Sequence, residues 1–114
     1  MTKMLKILIS GVFTMFCFTA HAGSSSGQIT QVVVTGVGDA VIFTAGPHVN
    51  KPACSTVGDD WSISLTTPGG RAMYALVLSA QAQRLPVIVT GNTPNNCSAW
   101  GDRETPIYIQ MYPY

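Results

Sequence analysis

The sequence predicts a mainly β domain with a single helix, its elements running β-β-β-α-β-β. Three observations carry that reading: short segments of two-residue apolar period between Gly- and Pro-containing turns, one segment of helical spacing ahead of Pro86, and two cysteines left to staple the domain once a leader is set aside. At 114 residues, 46% hydrophobic and 10% charged, the chain is too short for two ordinary domains and too apolar for a disordered tail.

Residues 1–22 read as a secretory signal peptide. Lys3 and Lys6 form a basic start, residues 7–18 an apolar stretch, and Ala20-His21-Ala22 a small-x-small cleavage pattern. Ser10, Gly11 and Thr14 interrupt the apolar stretch before it reaches the roughly 20 residues of a membrane span, so stable membrane insertion is not expected. Cys17 lacks the small residues that precede a lipidated cysteine and belongs to the apolar stretch. Residues 23–114 are then one domain, secreted or periplasmic after cleavage near Ala22. Within it Lys51, Arg71, Arg84 and Arg103 face Asp39, Asp59, Asp60, Asp102 and Glu104, a nearly neutral set that offers no steering toward nucleic acid.

Export puts Cys54 and Cys97 in an oxidising compartment, where one intramolecular disulfide is open to them. Closing a loop of about 43 residues stabilises a fold by roughly 4 kcal/mol in the chain-entropy model. A redox or metal pair has little support, because there is no CxxC and His48 is the only histidine beyond the leader.

Residues 23–27, Gly-Ser-Ser-Ser-Gly, read as a flexible leader to the first strand. Residues 28–37 are rich in β-branched side chains, and residues 40–44 follow the Gly38-Asp39 turn as a second strand. Residues 46–60 contain Pro47, Pro52 and Gly58 without any period, a loop pinned by Cys54. Trp61, Ile63 and Leu65 then alternate with Ser62, Ser64 and Thr66, a half-buried strand with Trp61 inward, which Thr67-Pro68-Gly69-Gly70 stops.

Over residues 71–84, Met73, Leu76, Val77 and Ala80 fall at i, i+3, i+4 and i+7, the core-facing stripe of a helix that ends before Pro86. Tyr74 and Leu78 put apolar surface on another side, to be covered either by a neighbouring subunit or by the 46–60 loop or C-terminal tail. Two strands follow, residues 86–90 and 107–112, the latter with Ile107, Ile109 and Met111 inward and Tyr108, Gln110 and Tyr112 outward. A long polar loop, residues 91–105, lies between them. This is the element order of the five-stranded OB barrel, which binds ligands on its second and third strands and on the loops joining strands one to two and four to five.

The Cys54-x6-Trp61 spacing ahead of a Leu/Ala-rich helix, the Pro-Val-Ile-Val strand after it, and the opening Ser26-Gly27-Gln28-Ile29-Thr30-Gln31 resemble the binding subunits of subtilase-cytotoxin and pertussis-like AB5 toxins. The resemblance implies an OB-fold subunit in a pentameric ring, a catalytic A subunit as partner, and a cell-surface sialylated or related glycan as ligand, with Ser26 as a sugar contact. The stretch Ile42-Phe43-Thr44-Ala45-Gly46 departs from that family, whose members carry a cysteine within the second strand and an acidic residue just after it.

Sugars are held by aromatic faces and dense hydrogen bonding, which makes Trp100, Asp102 and Arg103 in the last loop and Tyr108 on the last strand further candidates. Arg103 could meet a sialic carboxylate through its forked donors. The structural reading of the same residues is that Trp100 covers the disulfide and the tyrosines make cross-strand pairs. Catalysis has little support: His48 has no triad spacing around it, Asp59-Asp60 reads as a turn, and no cofactor, nucleotide or metal motif is present. The rival to a glycan-binding subunit is a stand-alone exported barrel with a structural or inhibitory role.

Overall fold

Ordinary strand-forming sequence, from Ile29 to Val34, makes up the second half of an eleven-residue first strand in the computed structural model, which describes residues 22–92 and 95–112. The expected leader, apart from Ala22, lies outside the described residues. The first strand, β1 (Ser24–Val34), is followed by β2 (Ala40–Ala45), β3 (Asp60–Ser64), the helix α1 (Pro68–Gln83), β4 (Pro86–Gly91) and β5 (Pro106–Met111). All strand pairs are antiparallel, in one sheet of order β3-β2-β1-β4-β5. The expected element order therefore holds, and Cys54 and Cys97 are disulfide-bonded with their Cα atoms 6.2 Å apart.

β1 serves two partners. Its first half, Ser24 to Gln28, pairs with β4, and its second half, Ile29 to Val34, pairs with β2 after a register shift between Ile29 and Gln31. The free edge of β3 meets the chain entering β5 through a parallel bridge between Trp61 and Glu104, where Ser62 N–H donates to Glu104 O at 2.9 Å. Both edges of the sheet are thereby drawn together. Val41, Phe43, Trp61, Ile63, Val87 and Val89 fill the interior, fully buried, and α1 packs across β1, β3 and β5 with Val77 and Ala80 beneath it.

Four expectations need correction. Residues 24–27 are strand, not flexible leader: backbone pairing with β4 satisfies their N–H and C=O groups, and small polar side chains give no apolar period to reveal it. The strand does stop before Thr67, but the helix starts at Pro68 rather than Arg71: Thr67 Oγ1 accepts from Gly70 N–H at 3.0 Å, Pro68 occupies the first turn, and the missing side chain of Gly70 leaves room for the Ser64 carbonyl. Tyr74 packs against the core, so the helix face left open is marked by Leu78 alone of that pair. Ile107 points outward, 48% exposed, because a register shift between Thr90 and Gly91 sets Pro106 opposite Gly91 and puts Ile107 out of phase with the buried Ile109.

Candidate functional site

The serine run at the head of β1 forms one wall of an open cleft. Ser24, Ser25 and Ser26 line it with Ile88 of β4 and with Pro47 and Val49 of the β2–β3 loop, enclosing about 330 Å³. Two hydrogen bonds between Ser24 and Val49, at 3.0 and 2.8 Å, hold that loop against the strand. Ser26 is exposed, and Ser25 turns inward, where its Oγ accepts from Trp61 Nε1–H at 2.8 Å. Register carries the outward row onward: Ser24 lies opposite Thr90, and Thr90 opposite Tyr108, so Ser26 and the 52% exposed Tyr108 share one outward face.

Beneath this wall lies a polar cluster that sequence reasoning missed. The His48 imidazole stacks on the Trp61 indole, centroids 3.9 Å apart and planes 13° from parallel, and its Nε2 lies 2.7 Å from Glu104 Oε1. Both side chains are fully shielded from solvent. Glu104 also accepts from Gly23 N–H at both oxygens, 3.1 and 2.9 Å, while its backbone N–H donates to Ser55 Oγ and His48 N–H donates to Asp59 Oδ1. Against a carboxylate, Nε2 is the donor, and the buried Nδ1 finds no partner among the described residues. The only sequence signals are that Glu104 is the sole glutamate of the chain and His48 the sole histidine after residue 22; their meeting, 56 residues apart, is tertiary.

The last loop places its candidates elsewhere. Trp100 lies against Gly38 in the β1–β2 turn, and Arg103 donates to Asp60 Oδ2 at 2.9 Å and to Asp102 Oδ1 at 2.6 Å. None of the three lines the cleft. Partial burial works against the Arg103 charge, yet the hydrogen bond to Asp60 and the neighbouring Asp102 carboxylate outweigh it and raise the Arg103 pKa above its ordinary value. Ser62, fully buried, donates to Arg103 O at 2.9 Å, so the loop backbone covers the outer face of β2 and β3 at Ile42 and Ser62. Asp59 and Asp60 serve different partners, the His48 backbone and Arg103. No group of three His, Cys, Asp or Glu side chains among the described residues is arranged to hold a metal ion.

Compared with protein-family models, curated proteins and solved structures, the chain has no match in any of the three.

Proposed function

We propose that this is an exported OB-barrel protein that acts by binding, and that its ligand is a glycan taken up along the outward β1–β4–β5 face. The observation that carries the reading is the open cleft at Ser26, the residue that the toxin-subunit resemblance marks as a sugar contact. Its lining is what a neutral sugar face needs: hydroxyls on one wall, and Pro47, Val49 and Ile88 as apolar surface for C–H groups, with Tyr108 further along the same face. The near-closure of the sheet supports the barrel reading. Exposed Val33, Val34, Val37 and Leu78 are the apolar surface that neighbouring subunits of a pentameric ring would cover, with a catalytic subunit seated on that ring.

One observation favours the alternative, a stand-alone envelope protein without glycan specificity. Arg103 is occupied by two carboxylates, so the forked donor proposed for a sialic carboxylate is already engaged. In the glycan reading, contacts to an acidic sugar fall to hydroxyls and backbone N–H groups of the cleft, and Asp102 and Arg103 act as a brace for the last loop.

The test is a glycan array probed with the exported, oxidised protein and with Ser26→Ala, beside a native mass of each preparation. Binding that drops at least about tenfold in Ser26→Ala supports the cleft, by the roughly 1.5 kcal/mol or more that a lost hydrogen bond to a bound ligand costs. Silence from folded protein across neutral and sialylated glycans removes the glycan reading, and a monomeric mass removes the ring.

A further inference from the structure

We propose that proteolytic processing tightens the anchor of the cleft wall: cleavage after Ala22 converts Gly23 N into an α-ammonium, which Glu104 captures as a buried ion pair. The inference rests on the cleavage pattern at Ala20-His21-Ala22 and is independent of the glycan reading.

Three observations converge on Gly23. First, Glu104 is a fully buried carboxylate that pairs with no Lys or Arg among the described residues, its neighbour Arg103 being turned to Asp60 and Asp102; the partners of its side chain are an imidazole and the Gly23 N–H. A buried carboxylate is stable only when its charge is matched and its oxygens are satisfied. Second, Gly23 N is within hydrogen-bond reach of both carboxylate oxygens, 3.1 and 2.9 Å. A peptide nitrogen has a single hydrogen to share between them, whereas an ammonium supplies a separate hydrogen to each and a positive charge as well. Third, the site admits only glycine: a Cβ on Gly23 would collide with Glu104 Oε1 and His48 Nε2, and one on Gly91, which flanks the carboxylate from β4, would collide with Glu104 Oε2.

The chemistry balances without a further reactant. A processing peptidase adds water across the Ala22–Gly23 amide; the C–N bond breaks, Ala22 leaves as a carboxylate, and Gly23 keeps both protons of the water as an ammonium. Gly23 O is meanwhile bonded by Gly91 N–H at 2.8 Å, and Ser24 exchanges two bonds with Val49. Fixing the new terminus therefore fixes the next three residues, which are the serine wall of the cleft.

The test is amine acylation of the chain exported with its leader and purified after processing, with peptide masses reporting each site. Lys51, exposed and the only lysine beyond the leader, is the internal reference. A free α-amine, with a pKa near 8 against about 10.4 for lysine, acylates faster than lysine at neutral pH. Capture reverses that order: the folded protein is expected to begin at Gly23 and to acylate there at least about tenfold more slowly than at Lys51, and to regain the ordinary order in denaturant. In Glu104→Gln, if folded, the α-amine becomes the faster site without denaturant. A mature terminus other than Gly23, an α-amine that reacts ahead of Lys51 in the folded wild type, or a folded Glu104→Gln that stays protected each overturns the proposal. Should Glu104→Gln not fold, the wild-type comparison decides it alone.

Discussion

Glu104 illustrates how much one side chain can organise when water is excluded. Its carboxylate joins the β3–β5 junction to His48 in the β2–β3 loop and to Gly23 just before β1, and its own N–H engages Ser55. Removing it leaves an imidazole and an N–H buried without partners, and an unsatisfied buried polar group is costly. Glu104→Ala is therefore expected to lose at least about 1–3 kcal/mol of stability, read as a lower urea midpoint with unchanged slope. A loss within about 0.5 kcal/mol, the range of ordinary surface substitutions, would show that the cluster holds nothing together. Arg103 behaves differently. Its pKa is raised in the fold, so its contribution is fully present below the unfolded value and is lost only as pH climbs through the still higher folded value; across the neutral range its charge is constant.

Among the elements, the helix shows most directly how local chemistry sets boundaries. Thr67 caps its N-terminus by accepting from Gly70 N–H, and Arg84 ends it in the left-handed region at φ 54°, a conformation that glycine adopts without cost. Thr67→Ala is expected to cost about 1 kcal/mol and Arg84→Gly to gain up to about 1 kcal/mol. Opposite shifts in urea midpoint would confirm both caps; equal shifts in one direction would contradict this account. The apolar period locates this helix, because Val77 and Ala80 do face the core, but it places the start at Arg71, three residues inside the observed first turn. Pro-Gly-Gly reads as a stop in isolation and as a helix entry only when a threonine side chain is positioned to cap it. The head of β1 escaped notice for a related reason: Ser24 to Gly27 gain their strand from β4, more than sixty residues on, and their side chains carry no pattern of their own.

For the whole molecule, the disulfide and the sheet closure restrain the same region. Cys54–Cys97 ties the β2–β3 loop to the β4–β5 loop, beside the segment where Ser55, Glu104 and Ser62 are bonded together. Reduction is expected to cost roughly 4 kcal/mol in the chain-entropy model, measured as the difference in urea unfolding with and without reductant. A difference within about 0.5 kcal/mol would mean that the hydrogen-bonded closure alone sets the loop geometry.

Periodicity, turn residues and the two cysteines after residue 22 determined by themselves that the chain is a small β domain with one helix after the third strand and one disulfide. Those signals are local or, for the cysteines once Cys17 is set aside with the expected leader, leave a single pairing, so they survive without coordinates. Ser26 came from the resemblance, and only the tertiary structure decided that it lines a cleft. The fold also sent Arg103 to Asp60 and Asp102, and Ile107 outward at a bulge. Above all it brought His48, Glu104 and Gly23 into one dry cluster. Hydrogen bonds between residues 56 and 81 positions apart leave no period in a sequence, since what makes them strong is the water that the surrounding core excludes.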